Sequence, residues 1–251
     1  MLRLNAINKS FGGLKATDNL SLEFHAGSLS AIIGPNGAGK TTLFNLITGR
    51  LVPDTGTIEL DGENITGLKP ADIVHRGIAR AFQVASVFPT MTVAEQMQAA
   101  VLAHRRKIHD AWKPFGQEGA QSRADELIEL LGLGSRAHLR ASQLSHGDQK
   151  LLDIGLALAL EPRVLLLDEP TAGMGPDERW QMIERVQTLW QAGGMTLVFI
   201  EHDMDIVFAH AQTVRVLYYG GLLAEGTPEE IRNNQAVIDA YLGHGFETET
   251  A

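Results

Sequence analysis

The segment GPNGAGKTT at residues 34–42 constrains the fold of this chain more than any other stretch of its sequence. It fits the pattern G-x-x-x-x-G-K-[ST], in which glycines let backbone N–H groups turn inward around a phosphate. Lys40 adds a positive charge for the β- and γ-phosphates, and the hydroxyl of Thr41 can ligate Mg²⁺. An apolar run at 29–33 precedes the segment, and a helical pattern closed by Gly49 follows it. The sequence therefore predicts a strand, a polyphosphate-binding loop and a helix whose N-terminus favours an anion.

Length and composition narrow the class of protein. A chain of 251 residues can form one large α/β domain with an inserted subdomain. It has no cysteine, which excludes disulfide frameworks and thiolate metal sites and suits a reducing cytoplasm. The net charge of −9 argues against a nucleic-acid partner, because binding a phosphate backbone needs clustered lysine and arginine. No signal peptide or transmembrane run is recognised, so we expect a soluble chain that reaches a membrane only by docking onto other subunits.

The first third of the chain combines strand signals with the phosphate-binding loop. Alternating apolar residues predict antiparallel strands over residues 1–28, with Phe11 in a loop between them. The ring of Phe11 either stacks on a base or simply caps the sheet. After the loop and its helix we expect a strand and hairpin at 57–62, a short helix from Pro70 and a strand that ends at Gln83.

The middle of the chain, from residue 85 to 145, has no strand signal and is interpreted as a helical insertion. Helices are predicted from Val93 to Lys107 and from about 122 to 131, separated by a polar stretch at 113–119. After it, apolar runs alternate with helical patterns, as in a parallel sheet. The strands predicted there cover residues 164–167, 196–200, 214–218 and 222–226. The helices predicted there cover residues 148–160, 176–192 and 204–211, a segment from Pro228, and about 236–242, before a tail after His244 that we expect to be disordered.

These signals predict a nucleotide-binding α/β core over residues 1–84 and 146–251, with an antiparallel β subdomain and an α-helical subdomain inserted over 85–145. At the end of its strand 164–167, Asp168 can hold Mg²⁺, while Glu169 faces the γ-phosphate and positions or deprotonates a water. We expect the two side chains to point in different directions, because strand residues alternate.

Four further residues have candidate roles. His202 follows the next strand and could donate to the γ-phosphate as a sensor of its presence. Gln83 could ligate the metal or the attacking water through its amide, although alone it is a weak signal. Ser145 and the backbone of Gly147 precede an apolar helix, where they form either a second anion-binding helix N-terminus or only a helix cap.

Taken together, the loop at 34–42, Gln83, residues 144–149, residues 164–170 and His202 resemble, in order, the motif series of the ATP-binding cassette family. In that family these are the Walker A loop, the Q-loop, the signature, Walker B and the switch histidine. The resemblance implies an α/β fold with a P-loop NTPase (RecA-like) core, and an ATPase that uses ATP and Mg²⁺. It implies catalytic roles for Lys40, Gln83, Glu169 and His202, and metal ligation by Thr41, Gln83 and Asp168. It implies nucleotide contacts from Phe11, Gly34, Asn36, Gly37, Ala38, Gly39, Lys40, Thr41, Thr42, Ser145 and Gly147.

The resemblance also implies partners. Two cassettes, identical or related chains, pair head to tail, so that Ser145 and Gly147 of one chain close over the ATP held by the other. Closure moves two transmembrane permease subunits, and a periplasmic or extracellular solute-binding protein contributes indirectly. The chain is then peripheral at the cytoplasmic face of the inner (cell) membrane.

Several short sequence segments outside these motifs are similar to one subgroup of the family, the ATP-binding subunits of branched-chain amino acid importers. The similar segments are residues 11–16, 76–80, 172–174 and 228–232. The ATP-binding subunits of importers of urea, amides or aromatic acids share much of this sequence. The ATPase of a lipopolysaccharide-type exporter has the same motifs. Three residues depart from the family pattern, which are His146 and Asp148 in the signature and Gly175 at the usual aspartate of the D-loop.

Overall fold

The computed structural model describes residues 1–82, 85–105 and 117–242. The strands are β1 (Leu2–Phe11), β2 (Leu14–Phe24), β3 (Leu29–Ile33), β4 (Thr55–Leu60), β5 (Glu63–Asn64), β6 (Ile78–Ala81), β7 (Val164–Asp168), β8 (Thr196–Ile200), β9 (Thr213–Tyr218) and β10 (Gly221–Gly226). The helices are α1 (Lys40–Ile47), α2 (Pro70–His75), α3 (Val93–Arg105), α4 (Gln117–Leu130), α5 (His146–Leu158), α6 (Pro176–Gly193), α7 (Met204–His210), α8 (Pro228–Arg232) and α9 (Gln235–Leu242).

A six-stranded sheet with the order β10-β9-β3-β8-β7-β6 forms the centre of the molecule. Its strands β3, β6, β7, β8 and β9 run parallel, and β10 is antiparallel to β9. Every residue of β3, β7 and β8 is buried, as expected for parallel strands covered on both faces. Alternate residues face two separate apolar clusters, with Leu165 and Leu167 in one and Leu166 in the other. The sheet is therefore the middle layer of the core.

A second, antiparallel sheet with the order β2-β1-β4-β5 covers one side of this core. Its apolar face packs against α1 because Leu2, Leu4 and Phe24 belong to the same cluster as Leu43 and Phe44. The antiparallel prediction for residues 1–28 is confirmed. Phe11, however, is the last residue of β1 rather than part of a loop, because the reversal takes only the two glycines that follow it.

Helices cover the other side of the sheet. Between residues 85 and 145 the described residues contain α3, α4 and two 3₁₀ turns, Gly134–Arg136 and Ala141–Gln143, and no strand. Hydrogen bonds join the two ends of this segment, from the N–H of Val93 to the carbonyl of Leu139 and from Ala141 to Met91, both at 3.0 Å. The two ends of the helical segment therefore lie side by side where it joins the core.

Several boundaries differ from the sequence predictions. Helix α4 begins at Gln117, inside the predicted polar spacer, because Gln117, Glu118 and Ala120 are good helix formers. Helix α5 begins at His146 rather than Asp148, since Ser145 caps it. The predicted end of α3 at Lys107 and the tail after His244 lie outside the described residues. In the described part of the chain, each helix is too short or too polar to cross a bilayer.

Candidate nucleotide-binding site

The loop between β3 and α1 approaches neighbouring backbone so closely that a side chain at either of two glycines would meet a carbonyl oxygen. Gly34 has φ 152°, and a Cβ there would lie 2.2 Å from the carbonyl oxygen of Leu217. Gly39 has φ 101°, and its Cβ would lie 2.2 Å from the carbonyl oxygen of Ala16. Because the loop runs directly into α1, it lies at the N-terminus of that helix, where unpaired first-turn N–H groups and the positive end of the helix dipole are expected. This geometry favours an anion at the loop.

Lys40 is the first residue of α1, and its side chain lies along the loop. It is 7% exposed, and its Nζ donates to the carbonyl oxygens of Gly34 at 2.5 Å and Pro35 at 3.1 Å. Burial lowers the pKa of Lys40, and the charges of Glu169 and Asp168 oppose that shift. The ammonium thus lies between the loop and the acidic end of the sheet.

An open cleft of about 270 Å³ lies over this loop. Phe11 is 47% exposed and lies at the cleft together with Glu169 and His202. Its other lining residues are Leu14, Ala16, Asn36, Gly37, Ala38, Gly39, Lys40, Thr41 and Thr42. The fold therefore brings together residues that are almost 200 positions apart in the sequence.

Glu169 and His202 form a pair at the edge of the cleft. Strands β7 and β8 are parallel neighbours, so the residues that follow them meet at one edge of the sheet. The distance from His202 Nε2 to Glu169 Oε1 is 2.9 Å. Glu169 has φ 49°, a left-handed conformation, and its N–H donates to the carbonyl of Ile200 at 3.0 Å. This turn directs Glu169 towards His202, whereas Asp168 contacts Arg80, so the predicted divergence of the two carboxylates is observed.

Asp168 and Thr41 have the chemistry that Mg²⁺ requires. The ion prefers oxygen ligands and keeps several waters and phosphate oxygens, so a nucleotide site needs only one or two ligands from the protein. Asp168 is 7% exposed at the end of β7, and Thr41 is in the first turn of α1. Within the described residues no group of three or more His, Cys, Asp and Glu side chains could hold a metal by itself. The oxygen donors therefore fit a metal that arrives with phosphate.

Gln83, predicted to act at this site, lies outside the described residues. The chain on both sides of it is held by Asp153 of α5, whose carboxylate accepts from the N–H of Phe82 at 2.9 Å and of Ser86 at 3.0 Å. Burial raises the pKa of Asp153, and these two hydrogen bonds oppose that shift. The sequence prediction gave Asp153 no role. The signal was an acidic residue within an apolar helix, where only a paired charge is tolerated.

Lys150 is a second residue that the prediction missed. It is 3% exposed on α5, and its Nζ donates to the carbonyl oxygen of Glu169 at 2.7 Å. Burial lowers the pKa of Lys150, and the charges of Glu201, Glu169, Asp153 and Asp168 oppose that shift. Lys150 therefore joins the helix that begins at the signature to the backbone of the proposed catalytic glutamate.

Ser145 and Gly147 lie away from the cleft over the Walker-type loop. Ser145 is the N-cap of α5, and its hydroxyl accepts from the N–H of Asp148 at 3.2 Å. Both residues line a separate pocket of about 320 Å³ with Met174 and Gln181. The described lining residues of this pocket and of the cleft over the Walker-type loop have no member in common. One chain therefore does not bring Ser145 and Gly147 to its own cleft.

Comparisons with known proteins identify the family of this chain. Residues 17–172 match the family model described as ABC transporter. The chain belongs to the ABC transporter family. Residues 222–247, which include α8 and α9, match a second model, described as branched-chain amino acid ATP-binding cassette transporter. The predicted family, fold class and ATPase activity are thereby confirmed, whereas the roles of individual residues stay predictions.

Relatives and solved structures match along nearly the whole chain. The high-affinity branched-chain amino acid transport ATP-binding protein LivG of Salmonella typhimurium is 39% identical over 251 residues, 97% of this chain and 98% of the relative. The high-affinity branched-chain amino acid transport ATP-binding protein BraF of Pseudomonas aeruginosa is 36% identical, and the match covers 97% of this chain and 98% of the relative. A nucleotide-free ATP-binding cassette from an ABC transporter has a TM-score of 0.83 at 35% identity, with 96% and 98% covered. A cassette in its ADP conformation has a TM-score of 0.85 at 34% identity, with 97% and 98% covered.

Proposed function

We propose that this cassette hydrolyses ATP to drive the import of branched-chain amino acids through separate membrane subunits. The observation that carries the ATPase assignment is the single cleft that contains Phe11, the Walker A loop, Glu169 and His202. The match of residues 222–247 to the branched-chain amino acid cassettes, and the names of the relatives, support the solute class.

In this proposal the nucleotide lies along the cleft from Phe11 to α1. The exposed ring of Phe11 stacks on adenine, since an aromatic face suits any base. N–H groups of the loop and of the first turn of α1 bind the phosphates, and Lys40 adds a charge for the β- and γ-phosphates. Thr41 and Asp168, with Gln83, would hold Mg²⁺, which when bound would neutralise charge on the phosphates. Binding therefore needs mainly backbone groups and α1.

Hydrolysis needs the acidic end of the sheet as well. Glu169 orients and deprotonates the attacking water, since it lines the same cleft as the Walker A loop. His202, 2.9 Å from the carboxylate of Glu169, holds it in place and detects the γ-phosphate. Charge that develops on the γ-phosphate is stabilised by Lys40 and by groups already positioned around it.

The remaining contacts come from a second cassette, identical or related, arranged head to tail. Ser145 and Gly147 contribute the N-terminus of α5 to the partner's nucleotide, because their pocket is separate from the cleft of their own chain. The pair then drives two permease subunits from the cytoplasmic face of the inner membrane, with a solute-binding protein delivering the substrate.

The test is transport by the complete complex, purified with its membrane subunits and reconstituted in proteoliposomes with its solute-binding protein. We expect leucine, isoleucine or valine to stimulate ATP hydrolysis and to accumulate on the side of the membrane that carries the cassettes, and Glu169→Gln to abolish both effects. Stimulation by urea, an amide or an aromatic acid instead would reassign the solute. Extraction of a lipid from the membrane would contradict import altogether.

A further inference from the structure

We propose that Arg80 is a positioning residue that ties together the two protein halves of the Mg²⁺ site, Thr41 on α1 and Asp168 on β7. Arg80 lies three residues before Gln83, outside the Walker, signature and switch motifs. The inference rests on the proposed function, because only there are Thr41 and Asp168 metal ligands.

Strand register brings Arg80 to Asp168. Strands β6 and β7 are parallel, and Arg80 is opposite Leu166. Asp168 is two residues beyond Leu166 and therefore projects from the same face of the sheet. The Nη2 atom of Arg80 donates to Oδ2 of Asp168, and the two side chains are only 5% and 8% exposed. This is a buried ion pair, in which geometry matters more than at a surface.

A second anchor connects the same guanidinium to α1. Its Nη1 atom donates to Oδ1 of Asn45 at 2.8 Å, and Asn45 is one helical turn after Thr41. Its central carbon lies 5.4 Å from the ring centre of Phe44 and 5.1 Å from that of Phe82. An arginine held by α1, by β7 and by two aromatic rings has little freedom to move.

The contacts leave one oxygen of Asp168 available. Among the described residues, Oδ1 of Asp168 makes no hydrogen bond, whereas Oδ2 is taken by Arg80. A fixed carboxylate with one open oxygen suits a metal ligand, because such ligands are usually oriented by a supporting hydrogen bond. Since Asn45 and Thr41 share one helix, the same guanidinium also fixes the spacing between Thr41 and Asp168. Arg80 therefore supports Asp168 through Oδ2 and leaves Oδ1 open for the metal.

The test compares nucleotide affinity with and without the metal. For each variant we define the magnesium factor as the dissociation constant of a non-hydrolysable ATP analogue in EDTA divided by that in excess Mg²⁺. Arg80→Lys keeps the charge, but one ammonium cannot span Asn45 and Asp168. We expect its magnesium factor to fall by about tenfold or more while affinity in EDTA is unchanged. Unchanged affinity in EDTA shows that the fold and the Walker A loop are intact.

Asn45→Ala removes only the anchor on α1 and provides a second measurement. We expect it to lower the magnesium factor as well, and the double variant with Arg80→Lys to be no lower than Arg80→Lys alone, because both changes break one bridge. If Arg80→Lys fails to fold, Asn45→Ala still decides. Arg215→Lys is the matched control. Arg215 is 3% exposed in the same sheet, pairs with Glu225 at 2.7 Å and stacks 4.3 Å from Phe24. It should leave the magnesium factor unchanged.

Each other outcome is decisive. If Asp168→Asn removes the magnesium factor but Arg80→Lys and Asn45→Ala keep it, the inference is wrong and the proposed metal site stands. A larger magnesium factor in Arg80→Lys would also overturn the inference, since Arg80 would then oppose the metal. If Asp168→Asn leaves the factor unchanged, the proposed metal role of Asp168 is wrong, and the role of Arg80 is wrong with it.

Discussion

The Walker A loop and the acidic end of the central sheet, whose Glu169 and neighbouring His202 line the same cleft as the loop, are built differently. The loop is made of backbone, held by close approaches of Gly34 and Gly39 to neighbouring strands. The acidic end is made of side chains that are held by other side chains, with Glu169 next to His202 and Asp168 next to Arg80. We infer that the loop determines whether nucleotide binds, and that the acidic end determines whether it is hydrolysed.

The largest expected effect is at the acidic end. Glu169→Gln keeps the shape of the side chain but removes the base, so turnover should fall by about 10²–10⁴-fold while ATP affinity is retained. Steady-state hydrolysis and equilibrium ATP binding measure the two properties separately. Normal hydrolysis in this variant would show that Glu169 is not the base.

Substitution of Lys150 tests whether hydrolysis depends on the residues that support the acidic end. Lys150→Met removes the hydrogen bond to the carbonyl of Glu169, which at 2.7 Å helps to hold its left-handed turn. We expect kcat to fall by about tenfold to a hundredfold, because a displaced base loses alignment, with little change in ATP affinity. Lys150→Arg should recover part of the loss. A fall in ATP affinity with kcat unchanged would instead place Lys150 in nucleotide binding.

Two glycines of the loop provide a matched pair for the other side of the comparison. Both have positive φ, but a Cβ at Gly39 would lie 2.2 Å from a carbonyl oxygen, whereas one at Gly37 meets nothing within 4 Å. Gly37→Ala should cost about 1–2 kcal/mol of backbone strain, or about tenfold in ATP affinity, and Gly39→Ala more. Equal losses, measured by nucleotide titration, would show that the close approach at Gly39 is unimportant.

The smallest effect concerns Asp153 and pH. Its pKa is raised by burial, so between the ordinary aspartate pKa and the raised value the folded state binds more protons than the unfolded state. Stability therefore falls as pH rises through that window, by about 1.4 kcal/mol per unit of pKa shift. Urea unfolding of the wild type and of Asp153→Asn should show this slope in the wild type alone. The same slope in both proteins would mean that another group is responsible.

The same comparison explains what the sequence could reveal. The Walker A loop is a local pattern, and the strands β3, β7 and β8 are continuous apolar runs, so both were predicted closely. Arg80 and Asp168 are 88 positions apart, and Asp153 and Phe82 are 71 apart. Their contacts depend on the register of β6 against β7 and on the packing of α5, which no local pattern encodes. The supporting residues were therefore missed, whereas local motifs were enough to name the catalytic candidates, whose roles stay predictions.

The central claim is that one chain holds half of a hydrolytic site, and Ser145→Arg tests it most directly. Ser145 is outside the cleft of its own chain, so the dilute isolated variant should bind ATP as the wild type does. In the complete complex, the bulky charged side chain should prevent closure over the partner's nucleotide, and hydrolysis should be lost. Loss of ATP binding by the isolated variant, or normal hydrolysis by its complex, would contradict the account.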